Sequence, residues 1–517
     1  MEQTSTKWSL QAPGEKPVTL PEDVWKHICT FLDYEDALNA GKAGRPFWPF
    51  TTEQLARNLA VYPAEQSEEY TIFERVINTG HGNEVRQILF ALPSRCIELS
   101  NPVKLDLALE QVRDKMKGFK KLVIYFHSYN DDMIDRIAPE QTLRFRQEMM
   151  RHIIQGMFNK REREKLKDTF EKDRKDKSAI KEVDKRVKSL TIVDLQDIED
   201  LDLEQAPETE ALLRGLESFQ LSITRERREY GRLLGCSQKT LEFLNRLPNC
   251  WLNSDLLLNV TSLALCFPVV ATFERVGPRS PMVDLSKCRF PKLQSLSLVN
   301  YGIWCERQLD WIFEHASTLK RLGLESCPIV YLFYCTSDAL AQNEESLNND
   351  LNDVEDYTDH TKYGNSYSIV HELGVFKTNV MWPDLFDKFR TKLPQLKEFY
   401  FDCQLCEASS SPPNANLQSN IGGSQMLGLD FNSYQAVDAS GKLDLWVRIG
   451  GTDFENYFPR DRTHLQGQKD GNALIELLKH TGQCDPGDAG YDKQIEEFWE
   501  VFHPADDVDM TQEIKAV

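Results

Sequence analysis

The segment LKRLGLESCPI (residues 319–329) carries the pattern that decides the fold class. Apolar residues stand at offsets 0, 3, 5 and 10, and Cys327 stands at offset 8. Offsets 3 and 5 fall on one face of a short β-strand, because side chains in a strand alternate between its two faces. A small polar residue at offset 8 can satisfy backbone groups where the chain turns. The segment therefore predicts a strand that ends in a turn.

A second copy of this pattern, LQSLSLVNYGI, occupies residues 293–303, with Tyr301 in place of the cysteine. Between the copies, the segment CERQLDWIFEHAST (residues 305–318) has a helical stripe of apolar residues, namely Leu309, Ile312, Phe313 and Ala316. The spacing of the copies falls within the roughly 20–29 residues of a leucine-rich repeat. This pair of segments predicts a unit made of strand, helix and strand.

Five further segments match the first three apolar positions of the pattern. They are FKKLVIYF (Phe119, Leu122, Ile124), VKSLTIVDL (Val187, Leu190, Ile192), LESFQLSI (Leu216, Phe219, Leu221), VTSLALCF (Val260, Leu263, Leu265) and LKEFYF (Leu396, Phe399, Phe401). A three-position match is weak by itself, and these gain weight from their order around the stronger pair. In such an array, residues between the apolar positions either contact a ligand or are simply solvated. Examples are Gln294, Ser295, Ser297, Lys320, Arg321 and Gly323.

The N-terminal segment LPEDVWKHICTFLDYEDAL (residues 20–38) predicts a helical hairpin. Pro21 suits the first turn of a helix, and Glu22 and Asp23 suit its positive end. Val24, Ile28, Phe31 and Leu32 then form one apolar stripe. So short a hairpin cannot bury its own apolar face. It packs either on the rest of the chain or on a partner.

This hairpin, with Arg45 and Phe47 after it, resembles the F-box. Residues 180–405 also resemble filamentous-fungal F-box proteins with degenerate leucine-rich repeats. The resemblance implies the substrate-recognition subunit of a cullin–RING (SCF-type) ubiquitin ligase, which docks a Skp-type adaptor and a substrate protein. The implied adaptor-docking face is Leu20, Pro21, Val24, Ile28, Leu32, Leu38 and Phe47. The alternative is a repeat scaffold for protein–protein interaction outside any ligase.

The expected fold is α/β, with the F-box hairpin followed by an irregular leucine-rich-repeat-like solenoid. The expected regions are a disordered leader at 1–18, the F-box at 19–50, a helical linker at 51–110, the repeat-like domain at 111–480 and an acidic tail at 481–517. Flexible insertions are expected at 338–368 and 407–425, where the sequence is polar and aperiodic. One long helix is expected over residues 139–186, with Phe145, Met149, Ile153 and Met157 as its stripe.

The composition disfavours nucleic acid as a general partner, and the sequence shows no segment typical of membrane insertion or secretion. A net charge of −20 disfavours general nucleic-acid binding. We find no run of about 18 apolar residues and no apolar core near the N-terminus, so we expect neither a membrane span nor a secretory signal. The cysteines show no disulfide framework, which suits reduced thiols and an intracellular protein, cytoplasmic or nuclear.

No motif in the sequence predicts catalysis or a cofactor. The basic run KREREKLKDTFEKDRKDK (residues 160–177) is either a nucleic-acid or import patch or a solvated helix, and its interspersed acidic residues favour the helix. Cys403 and Cys406 form an isolated CxxC without the further ligands that a zinc site needs. We therefore expect a binding protein rather than an enzyme, with no metal and no cofactor.

Overall fold

The structure is a computed structural model, and it describes the residues that form most of the regular elements. These are residues 24, 27–28, 56–62, 68–92, 102–126, 143–173, 187–224, 238–267, 285–303, 306–325, 327, 329–336, 354–356, 373–378, 380–402, 434–437 and 460–483.

Thirteen strands lie within these residues. They are β1 (Asn58–Val61), β2 (Gln87–Ala91), β3 (Lys121–Tyr125), β4 (Ser189–Gln196), β5 (Ser218–Thr224), β6 (Ser262–Cys266), β7 (Ser295–Val299), β8 (Arg321–Glu325), β9 (Ile329–Thr336), β10 (Val354–Asp356), β11 (Leu373–Thr378), β12 (Glu398–Asp402) and β13 (Tyr434–Val437).

The α-helices are distributed along the same residues. They are α1 (Glu68–Asn78), α2 (Pro102–Lys115), α3 (Leu143–Gly156), α4 (Lys160–Asp173), α5 (Leu201–Glu204), α6 (Pro207–Arg214), α7 (Gln238–Arg246), α8 (Asp310–Phe313), α9 (Trp382–Lys392) and α10 (Arg460–Thr481). Short 3₁₀ helices cover His81–Glu84, Leu247–Asn249 and Glu306–Leu309.

The architecture is mixed α/β, built on a nine-stranded sheet with the order β1-β2-β3-β4-β5-β6-β7-β8-β12. Every neighbouring pair in this sheet is parallel. As far as β8, each strand lies beside the strand that precedes it in the chain. A second sheet has the order β10-β11-β9-β13, and its pairs are antiparallel except for β9 with β13.

The prediction of strands in the seven pattern segments is confirmed. They form β3 to β8 and β12, and every apolar residue named for these segments is buried. These residues belong to one apolar cluster, to which the helices contribute as well. The alternate strand positions, such as Ser218, Gln220 and Ser222 in β5, are only partly buried. One face of the sheet therefore carries the core, and in β5 the other face carries small and polar side chains.

Aromatic residues extend the core at the β12 end of the sheet. The helix α9 begins with Trp382 and Pro383 and buries Trp382, Phe386 and Phe389. The ring of Phe401 in β12 meets Trp382 edge-on, with a centroid distance of 4.6 Å, and meets Phe386 at 5.3 Å. Such edge-to-face pairs add about 0.5–1.5 kcal/mol each beyond the area that they bury.

The residue at offset 8 of the pattern, Cys327, contacts the backbone as predicted. Its thiol lies 3.2 Å from the carbonyl oxygen of Leu298, and the residue is fully buried. In the other copy, Asn300, the residue before Tyr301, bonds the backbone. The side-chain amide of Asn300 donates to the carbonyl of Phe267 at 3.0 Å, and its φ of 56° is left-handed, which asparagine tolerates.

The expected solenoid is not what the sheet forms. The strands β7 and β8 are joined by one short helical segment, whereas α3 and α4 both lie between β3 and β4. Segments that differ so much in length and content do not build a repeating unit. The protein has one continuous parallel sheet with unequal crossovers.

The expected helical linker at 51–110 is also corrected. This region holds β1 and β2 as well as α1 and the start of α2, so the sheet begins before residue 111. The run NLAV has only four residues. At β2, Val85, Ile88 and Phe90 hold the same offsets of 0, 3 and 5 as the pattern segments and are buried, but sequence analysis missed this match.

The helix expected over 139–186 is two helices, α3 and α4. Asn159 separates them with a capping box: its Oδ1 accepts from the backbone N–H of Glu162 at 2.9 Å, and Glu162 Oε2 accepts from the Asn159 N–H at 2.7 Å. The predicted stripe still packs inward, since Met149, Ile153 and Met157 are buried. In α4, Lys160, Arg161, Lys165 and Lys167 are exposed, as expected for a solvated helix.

Several predicted regions fall mainly outside the described residues. They are the leader at 1–18, the F-box at 19–50 apart from three residues, the insertion at 407–425 and the tail beyond Gln483. Within the insertion predicted at 338–368, Val354–Asp356 forms β10.

Candidate functional site

A repeated backbone hydrogen-bond pattern aligns the residues that precede the strands of the large sheet. The carbonyl of Lys120 accepts from the N–H groups of both Lys188 and Ser189, at 2.7 and 2.9 Å. The same pair of hydrogen bonds to one carbonyl oxygen recurs between neighbouring strands from β2 through β8 to β12. The aligned residues, here named the amino-edge row, are Arg57, Arg86, Lys120, Lys188, Glu217, Thr261, Gln294, Lys320 and Lys397. Their backbones therefore follow one another at about the 4.8 Å spacing of neighbouring strands.

The amino-edge row is basic, although the whole chain has a net charge of −20. Its one acidic member, Glu217, pairs with Lys188 at 2.8 Å. The basic members other than Lys188 are exposed. Lys121 and Arg321, the first residues of β3 and β8, add further positive charge beside the row. Partial burial lowers the pKa of Lys121.

The carboxyl end of β4 has the opposite character, since it gathers buried acidic groups. A register shift in β4 falls at Val193 and Asp194, and Asp194 has a left-handed φ of 59°. Arg146 Nη1 donates to the Asp194 carbonyl at 2.7 Å, and Ser222 Oγ lies 3.4 Å from Asp194 Oδ1. Burial raises the pKa of Asp194 to about 6, because the loss of solvation outweighs Arg146 and Ser222.

Next to Asp194, two arginines hold three acidic residues in a group here named the carboxyl-edge network. Arg151 Nη2 donates to Asp200 Oδ1 at 2.5 Å, and the same oxygen caps α5 by accepting from the Leu203 N–H at 3.2 Å. Arg246 contacts Glu199 at 2.5 Å and Glu204 at 3.6 Å. Burial raises the pKa of Glu204 despite the neighbouring Arg246.

The carboxyl-edge network surrounds a cavity of about 20 Å³, lined among others by Gln196, Asp200, Glu204 and Trp251. This volume holds about one water-sized molecule, whereas pockets for organic ligands measure about 300–1,000 Å³. The arrangement can orient α5 against β4, but it offers no room for an organic substrate.

Two other chemically capable side chains, those of His315 and Cys250, lie in the core. His315 is buried, its Nε2 accepts from the Phe290 N–H at 2.9 Å and its Nδ1 lies 2.8 Å from the Trp311 carbonyl oxygen. Burial lowers the pKa of His315 and raises that of the Cys250 thiol. Both groups are therefore held neutral. The described residues contain no cluster of metal-ligating side chains.

The structure describes two residues of the predicted adaptor-docking face. Val24 and Ile28 are helical, and their exposed fractions are 37% and 39%. Leu20, Pro21, Leu32, Leu38 and Phe47 lie outside the described residues, as do Cys403 and Cys406.

The strand residues suggested as ligand contacts have mixed exposure. Gln294, Lys320 and Arg321 are exposed, and Ser297 is partly buried, but Ser295 and Gly323 are buried. Sequence reasoning missed the remaining basic members of the amino-edge row. A signal was present, because FKKL, VKSL, LKRL and LKEF all place lysine at offset 1 of the pattern.

No protein-family model and no curated protein sequence matches the chain. Among the described helices, none combines the length and the apolar character needed to cross a bilayer.

Proposed function

We propose that the protein is the substrate-recognition subunit of a cullin–RING ubiquitin ligase. The observation that carries the proposal is the exposure of Val24 and Ile28 on helical backbone. Residues four apart share one face of a helix, so the two apolar side chains lie on the same face. The apolar strand positions of the sheet, by contrast, are buried. An exposed apolar pair within an F-box-like sequence fits an adaptor-docking face.

The proposed mechanism is proximity and requires no chemistry by the chain itself. The N-terminal helices hold a Skp-type adaptor, while the sheet domain holds a substrate protein. Tethering both partners raises the effective concentration of substrate lysines near the ubiquitin-conjugating enzyme. The cavity at the carboxyl-edge network, at about 20 Å³, is too small for an organic substrate, which is compatible with this role.

Co-purification of the full chain with the Skp-type adaptor tests the proposal. The variant carries Val24→Asp and Ile28→Asp, which would bury unpaired charges in the interface. A matched control carries Leu107→Asp and Leu258→Asp, because these leucines are also exposed, at 46% and 49%. Loss of a central apolar contact weakens binding by about 2 kcal/mol or more, or roughly 30-fold.

The expected result is adaptor binding by the wild type and by the control, and its loss in the variant, with circular dichroism unchanged in all three. Failure of the wild type to bind any Skp-type adaptor would overturn the ligase role and favour an interaction scaffold outside a ligase. Equal loss in the control and in the variant would show that the N-terminal helix is not the docking face.

A further inference from the structure

We infer that the amino-edge row binds an acidic polypeptide segment. The row places Arg57, Arg86, Lys120 and Lys188 at the starts of four consecutive strands, and Lys320 and Lys397 at the starts of two more. Glu217, Thr261 and Gln294 separate these two basic groups. In a chain of net charge −20, a row with six basic members and one acidic member is still a local reversal of sign. Such a patch attracts negatively charged partners and orients their approach.

Three lysines of the row are available to a partner, namely Lys120, Lys320 and Lys397. Within the part of the chain that the structure describes, Lys120, Lys320 and Lys397 form no ion pair. All three are exposed. The carboxyl-edge network differs in this respect, because its arginines are already engaged by carboxylates. Charge at the amino edge is therefore free to be neutralised from outside.

The shape of the row suits an extended chain. Nine strands at a spacing of about 4.8 Å give a line of roughly 38 Å. An extended polypeptide rises about 3.4 Å per residue, so about 11 residues cover the line. The flexible stems of the lysines can adjust to carboxylates that do not share the strand spacing.

The residues beside the row favour polypeptide over nucleic acid. The first residues of the strands from β2 onward are Gln87, Lys121, Ser189, Ser218, Ser262, Ser295, Arg321 and Glu398. None of these is aromatic, whereas surfaces for single-stranded nucleic acid stack bases on aromatic rings. In the proposed ligase, the bound segment would be part of the substrate, and that identification alone rests on the proposed function.

The test measures binding of a fluorescent 12-residue peptide of alternating Glu and Ser to the full chain, without adaptor, by fluorescence anisotropy. The variant carries Lys120→Glu, Lys320→Glu and Lys397→Glu. The matched control carries Lys160→Glu, Lys165→Glu and Lys167→Glu in α4, which changes the net charge equally at other exposed lysines. A peptide with Gln in place of Glu, and a 12-nucleotide single-stranded DNA, serve as further probes.

We expect the row variant to bind the Glu peptide at least 10-fold more weakly than the wild type, and the control variant to bind within about two-fold of it. Binding should weaken as salt rises, and the Gln peptide should not bind. Equal weakening in the control variant would reduce the effect to net charge and overturn the proposal. So would tighter binding of the DNA than of the Glu peptide, or no binding of the Glu peptide by the wild type.

A second variant and a second measurement complete the experiment. If the reversal variant does not fold, the set Lys120→Gln, Lys320→Gln and Lys397→Gln removes the charge without reversing it and decides the same question. The row variant should still co-purify with the adaptor. Loss of peptide binding with retained adaptor binding separates failure of this inference from failure of the ligase role.

Discussion

The two edges of the large sheet handle charge in opposite ways. At the carboxyl end of β4, Asp200 and Glu204 are buried and each contacts an arginine. At the amino edge, Lys120 and Lys397 are exposed and unpaired among the described residues. A buried charge must be compensated within the protein because it has lost its water, whereas an exposed charge keeps its water. The difference indicates that one edge stabilises the fold and the other is open to a partner.

Replacing Asp200 gives the strongest test of the difference between the two edges. Its side chain caps α5 and pairs with Arg151, so Asp200→Ala loses the cap and leaves that arginine without its buried partner. We expect the free energy of unfolding to fall by about 3 kcal/mol, measured by urea denaturation.

Asp200→Asn separates these two contributions, because asparagine still caps a helix but carries no charge. It should retain part of the stability. If Asp200→Ala changes the free energy of unfolding by less than about 0.5 kcal/mol, the network does not stabilise the carboxyl edge.

The next prediction concerns packing at the amino edge, at Gly118 just before β3. A Cβ added there would lie 2.7 Å from both the Asn83 carbonyl oxygen and Arg86 Nη1. Because the carbonyl belongs to the backbone, Gly118→Ala should destabilise the protein by about 1–3 kcal/mol. Gly323→Ala is the matched control, since its nearest neighbour would be Ser297 Oγ at 3.5 Å. Thermal unfolding should show a lower midpoint only for Gly118→Ala, and equal midpoints would contradict the steric account.

A smaller effect is expected from the titration of Asp194, which should make the free energy of unfolding depend on pH. Its pKa is about 6 in the folded protein, above the ordinary value of 3.8, so the folded state holds the proton more tightly. The contribution of this group to stability is full below about pH 4 and is lost as pH rises through about 6.

Asp194→Asn removes the loss of stability at high pH, because asparagine does not ionise. Asparagine also tolerates the left-handed backbone at this position. The variant should therefore be more stable than the wild type at pH 7.5, by up to about 2 kcal/mol, and the gap should narrow to about a third of that value at pH 4.5. Urea midpoints of both proteins at the two pH values measure this. A gap that does not change with pH would rule out titration of Asp194 in this range.

The smallest predicted effect is on stability at the amino-edge row. Lys120→Ala and Lys397→Ala remove exposed side chains without ion pairs among the described residues, so the free energy of unfolding should change by no more than about 0.5 kcal/mol. Calorimetry checks this. A larger loss would mean that the lysines support the fold, and the contrast between the two edges would then weaken.

The apolar pattern in the sequence predicted most strands of the large sheet. LKRLGLESCPI and its relatives predicted β3 to β8 and β12, because burial on one face of a strand leaves a period of two in the residues. Sequence reasoning missed β1, which has only four residues, and it missed β2 although Val85, Ile88 and Phe90 hold the offsets of the pattern. It also missed the break at Asn159, where a local capping box interrupts a helical pattern.

The two charged regions were less accessible to sequence reasoning. The carboxyl-edge network joins Arg151, Asp200 and Arg246, which are far apart in sequence, and nothing in the residue types shows that these charges are buried together. The amino-edge row could have been found from the lysines at offset 1. It was not, because their alignment depends on strand order and register, which the sequence pattern alone does not specify.

The strand order has a consequence for how the chain forms during synthesis. From β1 to β8, each strand pairs with one that has already been made, so the sheet can grow at its free edge as residues leave the ribosome. The last pair breaks this rule, because β12 must find β8 after β9, β10 and β11 have been made. Because β12 is the last strand of this sheet to be synthesised, its pairing with β8 should be the late step in folding.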